Sequence, residues 1–245
     1  MDNKYLINQY INTGMGIPKE QYDMLSGNNK KTYLRKMLIR IKQDISYVKY
    51  YYGELPEEIQ MAAVKQDYKA IKDIVNPSEA TQIAAVTQNC DTIKYILAKD
   101  ITPSEAVQLA AVTKYGDTIR HTLDKGITPS EAVQLVAVTK DGDAIDYILD
   151  NGITPSEQVQ IAAVTKYGYA IQYILDNGIT PSERVQIAAV TQNGYTIKYI
   201  LNKGISPSER VQVAAVTQSA GAIQYIIEHG ITPSEAVKMI ANKNK

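Results

Sequence analysis

"ITPSEAVQLAAVTKYGDTIRHTLDKG", residues 101–126, is followed at once by "ITPSEAVQLVAVTKDGDAIDYILDNG", residues 127–152. Two adjoining segments with this much in common are a tandem repeat, and a tandem repeat decides a fold before any single motif does. Prolines mark its period. Pro77, Pro103, Pro129, Pro155, Pro181, Pro207 and Pro233 stand 26 residues apart, and Pro56 opens an earlier copy of 21 residues. Seven two-part copies run from 56 to 232, and "PSEAVKMIANKNK" is a terminal half-copy.

Each copy reads as two helices. In the copy at Pro103, Thr102 is the expected N-cap and Pro103 the first helical residue, where a missing N–H costs nothing. Glu105 lies three residues after Thr102, the spacing of a capping box. Val107, Leu109, Ala110, Ala111 and Val112 are apolar almost all round, which predicts a first helix buried on most sides. Gly116 is expected to end it and Asp117 to cap the second helix. Ile119 and Leu123 face inward beside His121, Gly126 stops the second helix, and Ile127 packs back over the turn. Helices of about ten residues are unstable alone in water, so they must stack and share a core. The expected fold is all-α: an α-solenoid of seven helix-turn-helix repeats with a 26-residue period, plus a small helical N-terminal cap domain. At 8–10 Å between neighbouring helices, seven copies span about 60–70 Å.

Residues 1–55 carry no repeat and form the expected first domain, with 56–245 as the second. "IPKEQYDML" (17–25), "NNKKTYLRKMLIRIK" (28–42) and "DISYVKYYY" (44–52) read as short helices, with "SGNN" (26–29) as a break. Formal net charge is zero, yet residues 1–55 hold nine Lys/Arg against five Asp/Glu, so +4 there is balanced by −4 in 56–245. There are 18 Tyr, no Phe and no Trp. The lone Cys90 excludes an internal disulfide. No apolar run reaches the roughly 20 residues of a membrane span, and the opening residues lack the pattern of a signal peptide. The expectation is a soluble, cytoplasmic protein with no membrane partner.

The frame "TPSEAVQLAAVTKYGDTIRHTLDKG" resembles an ankyrin repeat in its Thr-Pro opening, Leu-Ala-Ala, mid-copy Gly and closing Gly, but it lacks the β-turn segment. Val185 to Tyr199, "VQIAAVTQNGYTIKY", is similar to an uncharacterised family of bacterial and viral helical repeats with units like V-x-x-A-V-x-x-N-G-x-A-I-x-Y. That resemblance covers residues 56–245 and implies no catalytic residues. The stretch "IPKEQYDMLSGNNKKTYLRKMLI" resembles opening segments of some tailed-phage proteins. It implies a viral protein that engages or blocks a host factor, such as a defence component.

Chemistry is sparse. No phosphate-binding glycine loop and no metal-spaced Cys/His cluster is present, so no catalytic residue, metal or cofactor is expected, and the chain does not read as an enzyme. His121 replaces a tyrosine found at Tyr95, Tyr147, Tyr173, Tyr199 and Tyr225, and reads as a packing residue. His229 suits the end of a helix. Cys90 takes the place of Gly116, Gly142, Gly168 and Gly194, a position expected to need φ > 0. The row Glu79, Glu105, Glu131, Glu157, Glu183, Glu209 and Glu235 reads as capping boxes. The Gln row (Gln82 to Gln212) and the Thr row (Thr87 to Thr217) read as polar ladders between copies.

Positions that vary from copy to copy are free to specify a partner. Counting each Pro as position 1, positions 4, 8, 11 and 15 fall near one helical line. Positions 8 and 11 are small; position 4 changes from Ala in early copies to Gln158, Arg184 and Arg210, and position 15 from Asp to Tyr169, Tyr195 and Gly221. Tyr and Arg are enriched at interface hot spots. The expected protein-binding patch is Gln158, Tyr169, Arg184, Tyr195 and Arg210. The alternative is nucleic acid on the basic helix, through Lys30, Lys31, Arg35, Lys36, Arg40 and Lys42 with Tyr50, Tyr51 and Tyr52 nearby. A third reading is self-assembly as a homo-oligomer, with that basic block docked on the acidic early copies of another chain.

Overall fold

A computed structural model of the chain describes residues 7–10, 17–50 and 55–244. The described residues are helical, without a strand, and the repeats form an all-α solenoid. The chain divides into two compact units, Met1–Ala111 and Val112–Lys245.

In the first unit the longest helix, Gly27–Gln43, buries Tyr33, Met37 and Ile41 at intervals of four. "SGNN" is therefore a helix start and not a break: Ser26 stands at the N-cap and Gly27 begins the helix. Tyr33 anchors the block. It is fully buried, its hydroxyl accepts the Ile17 N–H at 3.2 Å, and burial pushes its pKa up to about 12. The helix packs on Glu57–Gln66, the first repeat helix, which packs in turn on Glu79–Gln88. The short copy at Pro56 makes only a 3-10 turn, Tyr68–Lys72, in place of a second helix.

The second unit shows the repeat in two layers. Helices Glu131–Lys140, Glu157–Lys166, Glu183–Gln192, Glu209–Gln218 and Glu235–Lys243 stack in order. Beside them Ile119–Leu123, Ala144–Asp150, Ala170–Asp176, Ile197–Asn202 and Ala222–Glu228 stack in the same order. Each first helix is buried on a narrower face than its composition suggests. In Glu157–Lys166 the buried residues are Val159, Gln160, Ala163 and Val164, while Ile161 and Ala162 are half-buried.

The helix starts correct the expected capping box. The N-cap is the serine after the proline, not the threonine before it, so proline precedes the cap and glutamate is the first helical residue. Each serine hydroxyl accepts the N–H three residues on, as Ser182 does from Val185 at 3.4 Å. The glutamate does not turn back on its own helix. It accepts the serine hydroxyl of the next copy: Ser182 Oγ to Glu157 Oε1 at 2.5 Å, Ser208 to Glu183 and Ser234 to Glu209 at 2.6 Å. Ser156 does the same to Glu131, and in the first unit Ser104 to Glu79. A serine thus caps its own helix and bonds to its neighbour with one hydroxyl.

The other rows differ from expectation too. The buried glutamines bond within their own copy, Gln160 Nε2 to the Pro155 carbonyl and Gln186 to Pro181, both at 2.9 Å. They cover the carbonyl that precedes the helix. Gln60 also reaches the following copy, accepting from the Ser78 N–H at 2.8 Å. The threonines are exposed, and Thr139 and Thr217 bond back to the carbonyls of Leu135 and Val213, both at 2.7 Å.

Two glycine rows have different causes. Gly126, Gly152, Gly178, Gly204 and Gly230 hold φ of 70–75° after the second helices, where the following isoleucine N–H bonds to the carbonyl five residues back, as Ile127 does to Thr122 O at 3.2 Å. This is the Schellman stop expected at Gly126. The mid-copy glycines do not have positive φ, contrary to expectation. They are small because the next copy touches them. A Cβ on Gly116 would lie 2.2 Å from the Ala137 carbonyl oxygen, and one on Gly194 2.3 Å from that of Ala215. Cys90 in this row is accordingly a buried residue in the 3-10 turn Cys90–Thr92, not a helix-ending one.

Candidate functional site

Between the two helices of each copy one residue is extended: Asp141 at φ −140°, Tyr167 at −145°, Asn193 at −150°. Where it is Asp or Asn, its side chain caps the turn that follows, accepting the Asp143 N–H at 3.2 Å and the Tyr195 N–H at 3.1 Å. The cap therefore comes two residues before the position expected of Asp117. This kink takes position 15 off the line of the first helix and leans it on the second helix of the next copy. Tyr169 meets Tyr199 edge-on at 5.9 Å, and Tyr195 meets Tyr225 edge-on at 6.2 Å. Tyr167 adds its ring to Tyr169 at 5.4 Å. The ring of Tyr195 also lies over Gly221, whose missing side chain leaves room for it.

The same register places Asp143 beside Tyr173. Burial first, then the charges of Asp143 and Asp146, the Tyr167 phenol and Asp141, raises the pKa of the Tyr173 hydroxyl. The carboxyls feel one another. Asp143 is raised by burial and then by Asp141, and Asp146 by burial and then by Asp150 and Asp143. Lys140 and Lys166 end the adjoining first helices, but among the described residues no ion pair joins either to these carboxylates.

The predicted patch falls into two networks. Gln158, Arg184 and Arg210 are exposed at the second residue of their helices. Arg184 pairs with Glu157 at 2.9 Å and Arg210 with Glu183 at 3.4 Å, so both hold to the serine–glutamate ladder. A ten-residue helix is about 15 Å long, and Tyr169 and Tyr195 stand past its other end. No described contact joins the arginines to the tyrosines. Tyr173, Tyr199 and Tyr225 were legible only as packing residues, although they complete the aromatic row. Position 18, one of the positions that vary from copy to copy, carries the signal beside them: Lys94 and Arg120 there give way to Asp146 and Gln172 in the middle copies.

The basic helix is partly occupied by its own surroundings. Lys30 lies over the Tyr22 ring at 5.2 Å and Arg40 over Tyr47 at 5.6 Å. Lys36 donates to Asn8 Oδ1. Lys31, Arg35 and Lys42 are exposed along two adjoining grooves of about 290 and 590 Å³, whose walls also carry Leu38 and the carboxylates of Glu57 and Glu58. Tyr51 and Tyr52 lie outside the described residues, and of the Tyr50 side chain nothing is described.

His229 bonds to the Tyr225 carbonyl at 2.8 Å and to Asn202 Oδ1 at 2.9 Å. His121 is half-buried in the tyrosine row. Among the described residues no three His, Cys, Asp or Glu side chains gather as a metal site, and no helix is long and apolar enough to cross a membrane. The chain matches no protein-family model and no curated protein sequence.

Proposed function

We propose that this protein is a non-enzymatic binding solenoid whose partner is another protein, held on the tyrosine-bearing side of the second unit. One observation carries the reading. The copies keep their mutual contacts constant through serine, glutamate and glycine, and vary the residues that lean across the second helices. A surface of offset tyrosines presents large rigid area at low entropic cost. Exposure agrees: Tyr167 is 39 % and Tyr195 43 % exposed. The phage-like opening segment adds a host factor as the proposed class of partner.

Nucleic acid on the helix Gly27–Gln43 is the weaker reading. Three of its six cations already have partners in their own unit, and the remaining three face two glutamates across a groove. A capture from lysate of the source organism, with and without nuclease, compares wild type with Tyr169→Ala/Tyr195→Ala and Arg184→Ala/Arg210→Ala. The expected result is a protein retained after nuclease, lost by the tyrosine pair and kept by the arginine pair. Capture that vanishes with nuclease and ignores both pairs would move the function to the basic helix.

A further inference from the structure

The chain shows how it treats its own tyrosines where a cation is within reach. Lys72 lies 4.1 Å from the centre of the Tyr95 ring, with Lys94 beside it at 5.4 Å, and Lys198 lies 4.8 Å from that of Tyr199. Position 18 supplies Lys94 and Lys198. In the copies at Pro129 and Pro155 that position holds Asp146 and Gln172. Among the described residues no cation covers Tyr147, Tyr169 or Tyr173. The tyrosine row persists there, its cation is gone, and a carboxylate, Asp146, stands in its place in the first of these copies and a neutral amide, Gln172, in the second.

We infer that the surface formed by Asp143, Asp146, Tyr169, Tyr173 and Tyr195 binds an extended, arginine-bearing segment of a partner protein. The inference rests on the protein-binding reading above and names the partner's chemistry. Arginine fits because its flat guanidinium stacks on aromatic faces and forks onto carboxylates. Asp143 and Asp146 flank Tyr173 and take the first guanidinium, while Tyr169 and Tyr195 offer faces to the side chains that follow. The crowding of Asp143 with Asp141 and of Asp146 with Asp150 is relieved by a bound cation. Spacing follows from the fold. Stacked helices repeat at about 8–10 Å, and an extended chain advances about 3.3 Å per residue. Every third residue of the segment therefore meets the next copy, and arginines at that interval are the matched ligand.

The test is titration of labelled peptides by fluorescence anisotropy against the full chain. The probe is four Arg-Ser-Gly triplets, with four Glu-Ser-Gly triplets and a peptide of the same composition with its arginines consecutive as references. Wild type is expected to bind the spaced arginine peptide at least tenfold more tightly than either reference. Asp143→Asn/Asp146→Asn and Tyr169→Ala/Tyr195→Ala are each expected to weaken it at least tenfold while keeping the wild-type circular dichroism and melting temperature within a few degrees. Glu57→Gln/Glu58→Gln, which removes equal charge elsewhere, is expected to leave binding unchanged. Equal loss with that control, or no preference for arginine or for its spacing, overturns the proposal. A lysate partner lost by Tyr169→Ala/Tyr195→Ala but kept by Asp143→Asn/Asp146→Asn overturns the arginine assignment alone and leaves the protein-binding function standing. Spaced-arginine binding with no such partner from lysate reverses that outcome.

Discussion

The two ends of a first helix in the second unit are built on different rules. At the N-terminal end the copies from Pro155 on repeat one bond, a serine hydroxyl shared between its own backbone and the glutamate before it. Past the C-terminal end, the side chain that leans on the next copy is aspartate and then tyrosine twice, and the last such position, Gly221, has none. At the first end the serine stays the same because its hydroxyl holds two contacts, while the residue two further on varies as Gln158, Arg184 and Arg210. The second has one geometric obligation, to lie along its neighbour, which residues of different chemistry can meet. On the proposed binding function, stability and recognition are thus kept at opposite ends of the same ten residues.

The comparison breaks most severely if the copies are forced apart. Gly116→Val is expected to cost about 3 kcal/mol, the overpacking range, because its first side-chain atom already meets the Ala137 carbonyl. A urea melt of the variant against wild type measures it. Next is the ladder. Ser182→Ala is expected to lose about 1 kcal/mol, a helix cap's worth, with no change in partner binding. At the other end Tyr195→Ala reverses the pattern: under about 1.5 kcal/mol of stability for the lost aromatic pair, but loss of binding by anisotropy. Arg184→Ala is expected to do little to either, since exposed ion pairs contribute about 0–1 kcal/mol and this arginine side chain is 74 % exposed.

The smallest effect is in pH. Asp143 and Asp146 have folded pKa values raised above 3.8. The folded state therefore holds more protons than the unfolded one between 3.8 and the raised values, and these two groups make stability fall as pH rises through that window. Asp143→Asn/Asp146→Asn is expected to be slightly more stable than wild type at pH 7. That advantage shrinks as pH drops toward 3.8, in melting temperatures recorded across the range. Asp176, lowered by its hydrogen bond to Lys203 at 2.9 Å, contributes in the opposite direction as acid protonates it.

Most of the fold was legible because proline, glycine and apolar spacing report local conformation directly. Pro103 announced a helix start and Gly126 a helix stop. The precise cap was not legible, because threonine and serine flank the proline and either can cap; which one does depends on the neighbouring glutamate, a contact between copies. The mid-copy glycines misled for the same reason: Gly116 is small to admit Ala137, not to reach positive φ. The candidate site was half legible. Tyr169 and Tyr195 stood out by varying, whereas Tyr173 looked like scaffold until the extended residue Tyr167 was seen to redirect position 15 across copies. Arg184 stood out equally by type, yet its carboxylate partner 27 residues earlier could be found only in three dimensions.

The serine–glutamate bond spans 25 residues in every copy that makes it. Its register is therefore preserved by any cut that removes one whole period. Excision of residues 155–180 would bring Ser182 to the place of Ser156, opposite Glu131, with proline, glycine and isoleucine rows again in step. Unequal crossing-over within the gene could thus lengthen or shorten this chain by whole copies while each junction re-forms a bond already proven in its neighbours. What such an event alters is the order of side chains along the second helices, so the proposed binding surface is reordered by counting rather than by redesign.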